Sequence, residues 1–318
     1  MTTDVVVTQE TLMHTLRFHT YGDAADVLRI DDAPAPHPAP GQIRIAVQAC
    51  GLNPADWALC GGLYPGDLPR GIGLEVSGTV DAIGDDVTGV DIGDPVFGLA
   101  PFTGPTAGAS EHALLDLWFT RPSGLEAVAA AALPMAVGTA YVAVDVLGVG
   151  SGTIVLVHGA GTTTGYAAVQ IALGRGAHVI ATAGETYADA LRAAGAEVTS
   201  YGEGMAERVT ALAGGPVELA LDTAPFSNAL TELVRTVKEP EHVLTLGIDP
   251  VAKELGVRSA LDTGAMPRYD VLGEFAQLAA EGRLSVPVAR TFPLEDWRTA
   301  LELSRSQRAH GKLVLQIG

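Results

Sequence analysis

The sequence predicts an α/β protein: a doubly wound parallel sheet accompanied by a second region built of β-strands. Three observations lead there. Residues 155–165 read V-L-V-H-G-A-G-T-T-T-G, a β-branched run closing in a glycine turn, and residues 166–174 continue with apolar side chains at helical spacing. After this unit, strand-like and helix-like segments alternate, which is the pattern of a parallel sheet covered by helices. Before it, short apolar runs are separated by Gly, Pro and Asp, the texture of a β region.

Taken in order, residues 1–12 are expected to form a mobile leader, because patterned sequence begins at Met13. From there to about Pro122 the texture is β, with strands at 42–50 and 73–80, and the proline-rich stretch 34–40 serves as a connector. A helix is expected over 125–133, leading toward Pro134, and another near 139–147. The strand, turn and helix around 155–174 come next, followed by a strand at 177–182. Strands at 217–223 and 242–247 flank a helix at 228–237. A helix at 269–280 carries Leu272, Phe275, Leu278 and Ala279 on one face. The tail reads as a strand at 286–292, a helix at 294–306 opened by Pro293, and a strand at 312–317.

A chain of 318 residues with 47% hydrophobic side chains is of a length for about two domains. The formal net charge of −18, from 19 basic and 37 acidic residues, argues against nucleic acid as a partner. No window reaches the ~18 consecutive apolar residues of a membrane span, so no membrane contact is expected. The first residues lack the basic start and apolar core of a signal peptide, so the expectation is a cytoplasmic protein. Cys50 and Cys60 read as small buried hydrophobes rather than a disulfide.

The glycine turn points to chemistry. A helix N-terminus offers unpaired amides and a partial positive charge, and small residues let a pyrophosphate approach. The spacing here is Gly159-x-Gly161-x-x-x-Gly165, with Ala160, Thr162, Thr163 and Thr164 between, and it implies a dinucleotide and hence redox chemistry. A β-branched Thr162 would be strained if its φ were positive. The threonines can cap the helix and also meet phosphate, and both roles stand. His158 reads as a satisfied structural histidine, and His112 as part of a packing stretch.

Several segments together resemble the zinc-free medium-chain dehydrogenases/reductases of the quinone oxidoreductase and enoyl reductase-like group. They are C-G-L-N-P-A-D-W at 50–57, G-L-E-V-S-G at 73–78 with G-D-P-V-F-G at 93–98, A-L-P-M-A-V-G-T-A at 132–140, the glycine turn, and A-H-G-K-L-V-L at 309–315. The resemblance covers nearly everything after Met13. It implies a GroES-like β-barrel domain (13–125 and 283–318) and a Rossmann nucleotide-binding domain (126–282), with the active site in the cleft between them. Zinc-dependent relatives carry Cys where Asn53 stands and His where Leu74 stands. Asp56, Glu75 and His112 do not replace those ligands at suitable spacing, so no metal is expected.

By the same resemblance Asn53 is a nicotinamide- or substrate-side amide, and Thr139 contacts the carboxamide. Trp57 and Tyr64 are candidate pocket walls, with packing as the equal alternative, and Ala58 leaves the pocket roomier. Tyr64 is also a candidate proton donor. Around the nucleotide, Thr182, Ala183, Tyr201, Gly247 and Ile248 join the glycine turn. The strand end at Thr182-Ala183 carries no acid to hold a ribose 2′-OH, and Tyr201 resembles an adenosine-phosphate contact, so NADPH is expected over NADH, with Glu185 speaking the other way.

The expected reaction is hydride transfer to a quinone or to the β-carbon of an α,β-unsaturated carbonyl, a small-molecule substrate, by a homodimer. The alternatives are a non-redox reaction on the same scaffold, such as a cyclisation or dehydration, and a nucleotide-binding sensor without turnover.

Overall fold

The computed structural model of the chain describes residues 12–247 and 250–318. Residues 1–11 of the expected leader and Ile248 therefore lie outside the described residues, while Leu12 already belongs to a strand. Contacts divide the chain into two units. One runs to Ala132 and takes in Arg290–Ala309 and Leu313–Gly318; the other comprises Leu133–Ala289 and His310–Lys312.

The first unit begins with β1 (Leu12–Phe18), the short helix α1 (Ala24–Val27) and β2 (Leu28–Pro34), an antiparallel hairpin. Then come β3 (Ile43–Leu52), α2 (Pro54–Cys60), β4 (Arg70–Gly71), β5 (Glu75–Ile83), β6 (Pro95–Leu99), β7 (His112–Leu115) and β8 (Leu117–Thr120). Alternation along β3 turns Ile43, Ile45 and Val47 into the core, where they meet Leu16, Phe18, Leu115 and Trp57.

The helix expected at 125–133 is only α3 (Ala127–Ala130). Pro134 does not end a helix but sits in the first turn of the next, α4 (Leu133–Leu147), where proline costs no hydrogen bond. A Cβ on Gly51 would stand 2.4 Å from the carbonyl oxygen of Ala131, so this segment is packed into the first unit. The boundary accordingly falls after Ala132 rather than after 125. Residues Ala127–Leu147 are long and apolar enough to cross a membrane by length and composition, but 61% of that window is buried in the fold, as in a core helix.

The second unit continues from α4 through β9 (Ile154–His158), α5 (Thr163–Gly174), β10 (His178–Thr182), α6 (Glu185–Ala194), β11 (Glu197–Thr199), α7 (Met205–Ala213) and β12 (Leu219–Asp222). It ends with α8 (Leu230–Leu233), β13 (Val243–Thr245), α9 (Pro250–Leu255), β14 (Arg258–Ser259) and α10 (Leu272–Ala280). The strands are parallel in the order β11-β10-β9-β12-β13-β14, the doubly wound arrangement whose direction of winding reverses beside β9. The helix expected at 228–237 shrinks to α8: Asn228, at φ 57°, takes the left-handed conformation and delays its start, and past Leu233 the chain turns, the Thr236 hydroxyl donating to the Leu233 carbonyl. Tyr269 stays outside α10, its ring 2.8 Å from where a Cβ on Gly138 would be.

The chain then returns to the first unit's sheet through β15 (Val288–Pro293), α11 (Trp297–Arg305) and β16 (Lys312–Gln316). That sheet has the order β15-β16-β3-β5-β6-β8, with β7 also paired to β3.

Candidate active site

The C-terminal ends of β9, β10, β12 and β13 gather the polar residues of the second unit. β9 ends at His158, and Gly159 turns the chain at φ 76°; a Cβ there would meet Ala224 at 2.5 Å. Gly165 is small for another reason. A Cβ on it would lie 2.3 Å from the Gly159 carbonyl oxygen and 2.4 Å from Thr223 Oγ1, so glycine lets α5 seat against the turn. Gly161 differs from both: nothing comes nearer to its missing Cβ than the Tyr187 ring at 3.7 Å. A side chain there would only touch that ring, and Gly161 lies two residues before α5 begins.

Thr162 is the N-cap of α5, at φ −76° and ψ 159°, so the strain considered for a β-branched residue does not arise. Its Oγ1 accepts from the Gly165 amide at 3.0 Å and donates to Thr223 Oγ1 at 3.2 Å. Thr223 in turn donates to the His158 carbonyl at 2.7 Å. The Thr162 hydroxyl is thus occupied by the cap and by β12's end. Thr163 and Thr164 are half-buried, and among the described residues their hydroxyls have no protein partner. Their amides, in the first turn, have no acceptor within the helix.

Beneath this turn the hydrogen bonds close. Thr182 Oγ1 accepts from the Gly159 amide at 3.1 Å and lies 2.8 Å from His158 Nδ1; Ser227 Oγ lies 3.0 Å from His158 Nε2. Both ring nitrogens therefore face hydroxyls that can donate or accept, and the buried ring is satisfied in either neutral tautomer. Burial holds its pKa below the ordinary histidine value, against the pull of Asp222. Asp222 accepts from the Ala224 amide at 3.0 Å and from the Thr245 hydroxyl at 2.9 Å, and the Gly247 amide donates to Thr245 Oγ1 at 3.1 Å.

The structure thus brings Gly159 to Gly165, Thr182 and Gly247 together, with Ala160 and Ala183 buried at the same strand ends. Tyr201 is 59% exposed, its hydroxyl 3.7 Å from where a Cβ on Gly184 would be. Thr139 is half-buried on α4, the helix that packs against α5. The sequence reading missed Asp222, Thr223, Thr245 and Tyr187. For the first two, polar residues ending an apolar strand were the signal. The open flank at Gly161, the first-turn amides and two partnerless hydroxyls fit a dinucleotide pyrophosphate.

Asn53, Trp57, Ala58 and Tyr64 belong to the first unit. The Asn53 carboxamide donates to Glu75 Oε1 at 2.9 Å, and its amide donates to Asp56 Oδ2 at 2.7 Å. Asp56 Oδ1 takes the Gly73 amide at 2.9 Å, and both carboxylates are fully buried. Trp57 is 8% exposed and donates to Ser304 Oγ at 3.0 Å, so most of its ring is packed in the core. Ala58 is half-buried in the same helix. Tyr64 is 57% exposed, its ring tilted against Phe102 at 5.8 Å. Its carbonyl is held by the buried guanidinium of Arg70, which also donates to the Phe102 carbonyl at 2.8 Å.

The donors do not suit a catalytic zinc. Asp56 and Glu75 are held by amides, Cys50 is buried against Gly73, and His112 Nδ1 sits 2.7 Å from Asp81 Oδ2, in a charge contact without the alignment of a hydrogen bond. Among the described residues no three His, Cys, Asp or Glu side chains converge to hold a metal ion. Neither cysteine forms a disulfide, and burial pushes the Cys60 thiol up to about 12, which leaves it unreactive.

Comparison with known proteins agrees with this layout. Residues 39–115 match the alcohol dehydrogenase GroES-like domain, and residues 194–315 match the zinc-binding dehydrogenase family. The chain is 33% identical to the spectinabilin polyketide synthase system protein NorB of Streptomyces orinoci, over 90% of this chain and 14% of that protein. It is 32% identical to the erythronolide synthase EryA2 of Saccharopolyspora erythraea, over 86% of this chain and 8% of that one. It therefore spans about a seventh or less of the length of these polyketide synthases. Among solved structures, the quinone oxidoreductase of Coxiella burnetii superposes with a TM-score of 0.80 at 28% identity, covering 97% of this chain and 100% of that one. An NAD-dependent alcohol dehydrogenase superposes with a TM-score of 0.83 at 27% identity, over 96% and 100%. The two family matches, the parallel sheet and its glycine turn place the chain in the medium-chain dehydrogenase/reductase superfamily of oxidoreductases.

Proposed function

We propose that the chain reduces the activated double bond of an α,β-unsaturated carbonyl. A bound reduced nicotinamide dinucleotide supplies the hydride, which goes to the β-carbon. The π electrons move onto the carbonyl oxygen as an enolate, and a proton then adds at the α-carbon. The observation that carries this reading is the cradle at α5, open at Gly161 and lined by the partnerless Thr163 and Thr164 hydroxyls. Kinship with polyketide synthases favours an acyl thioester bearing the double bond over a free quinone. The exposed Tyr64 hydroxyl is proposed to deliver the proton, and Asn53 to orient the carbonyl end. A turn too strained at Thr162 to hold phosphate would favour a non-redox reaction, and the unstrained cap there supports the redox reading instead.

An enoyl thioester and a simple quinone, each mixed with the chain and reduced nucleotide, test the proposal by nucleotide absorbance and product mass. Saturated thioester formed in step with nucleotide oxidation is the expected outcome. Faster turnover of the quinone, or product formed with no nucleotide consumed, would overturn it. A homodimer is proposed as well, through the β14 edge beside the exposed Leu261 and Met266. Sedimentation of the wild type against Met266→Glu checks it: the variant should shift toward the monomer mass.

A further inference from the structure

Which nucleotide the cradle accepts depends on the side chains where a ribose 2′ substituent would lie, outside the end of β10. Thr182 does not reach that space, since its hydroxyl is turned into the fold against His158 and the Gly159 amide. Ala183 is buried and Gly184 is exposed, as the N-cap of α6. The first side chain standing free at this rim is Glu185, exposed in the first turn of α6. Tyr187 follows; its ring borders Gly161, and its hydroxyl donates to the His310 carbonyl. Tyr201 borders Gly184 from the other side.

Residues 182–213, which carry Glu185, Tyr187 and Tyr201, contain two cations, Arg192 and Arg208, against five acids. Both guanidinium groups are engaged. Arg192 bonds Asp189 at 2.9 Å and reaches the Val198 carbonyl at 3.4 Å. Arg208 holds the loop that carries Tyr201, through Thr199 Oγ1 at 3.2 Å and the carbonyls of Glu203, Ser200 and Tyr201 at 2.8, 3.0 and 3.4 Å. A phosphate binding Arg208 would have to displace those carbonyls. The amides of the α6 first turn attract an anion, but the Glu185 carboxylate is already there and repels a second one.

We infer that this site takes NADH in preference to NADPH, because Glu185 occupies the rim where a 2′-phosphate would need a cation and the neighbouring arginines are bonded elsewhere. The Glu185 carboxylate can accept a hydrogen bond from a ribose 2′-hydroxyl, which a 2′-phosphate cannot give. The inference rests on the nucleotide reading of the cradle and opposes the NADPH expected from the sequence.

Calorimetric titration of the purified chain with NADH and NADPH, without any acceptor, provides the test. NADH should bind roughly tenfold or more tightly, the penalty of a like-charge encounter at a partly exposed site. Glu185→Lys, an exposed substitution checked for fold by circular dichroism, should narrow or invert the ratio and make NADPH binding weaken with added salt. Equal or tighter NADPH binding by the wild type would overturn the inference and assign the phosphate to Arg208. An unchanged ratio in Glu185→Lys would overturn it too. Binding of neither nucleotide would remove the cradle reading along with it. NADH binding with no turnover of any enone would leave the inference standing and sink only the proposed reaction.

Discussion

At the scale of single residues, glycine and histidine each do work that another side chain cannot. Gly165 is enclosed by backbone oxygen and the Thr223 hydroxyl, so Gly165→Ala must push α5 away from the turn. Overpacking of this kind costs about 1–3 kcal/mol. Chemical denaturation should show that loss, and nucleotide titration should show weaker binding, because the displaced helix carries the phosphate-facing amides. An alanine variant of unchanged affinity would mean that the start of α5 is not the cradle. His158 makes a pH prediction. Its unfolded pKa is the ordinary 6.5 and its folded value is lower, through burial. Between the two values the unfolded chain holds the extra proton, so the contribution of this ring to stability is whole above about pH 6.5. It falls as the pH drops through the window below. Melting temperatures of His158→Asn should depend less on pH than the wild type between about 6.5 and 5; identical slopes would show that the ring is not the titrating group.

At the scale of elements, the loop between α2 and β5 shows how a charge can be structural. Arg70 is 1% exposed, yet its fork serves the carbonyls of Tyr64 and Phe102. Lysine keeps the charge but loses the planar fork, leaving one of the two carbonyls without its charged donor at about 1 kcal/mol. Arg70→Lys should therefore lower the melting temperature and lower kcat for an enone more than it raises KM, since the proton-delivering Tyr64 stands on that loop. A variant with wild-type kcat would detach Tyr64 from proton delivery. The same elements show what a sequence discloses. The strand, glycine turn and α5 were legible because each is marked locally, by β-branched residues, glycine and helical spacing. The shortening of 228–237 to α8 was not, because it depends on the backbone of Asn228 at one end and on the turn after Leu233 at the other. The break between α3 and α4 was not legible at Pro134 either, because a proline following one helix and a proline opening the next look alike in sequence. Thr223 and Thr182 were linked to His158 and Gly159 only by the strand order, which no periodicity encodes. Trp57 could have been wall or core, and its partner Ser304 lies too far along the chain to be paired by pattern.

At the scale of the molecule, charge works against the ligand. The chain carries −18, and a dinucleotide is itself an anion. Every contact proposed for the pyrophosphate is a neutral dipole, amide or hydroxyl, because the turn and the first turn of α5 contain no Lys or Arg. The local attraction therefore acts over the short range of dipoles, while the repulsion acts over the whole surface. Added salt shortens the Debye length from roughly 30 Å at 0.01 M to about 8 Å at 0.15 M. That change screens the distant carboxylates and leaves contacts within the cradle nearly untouched. Nucleotide affinity should consequently rise as salt is added over this range, with most of the gain in the association rate. A cradle built on lysine or arginine would give the opposite slope. Stopped-flow binding of NADH at the two ionic strengths separates these cases. A fall in association rate with salt would show that a cation, Arg208 among the candidates, guides the nucleotide in.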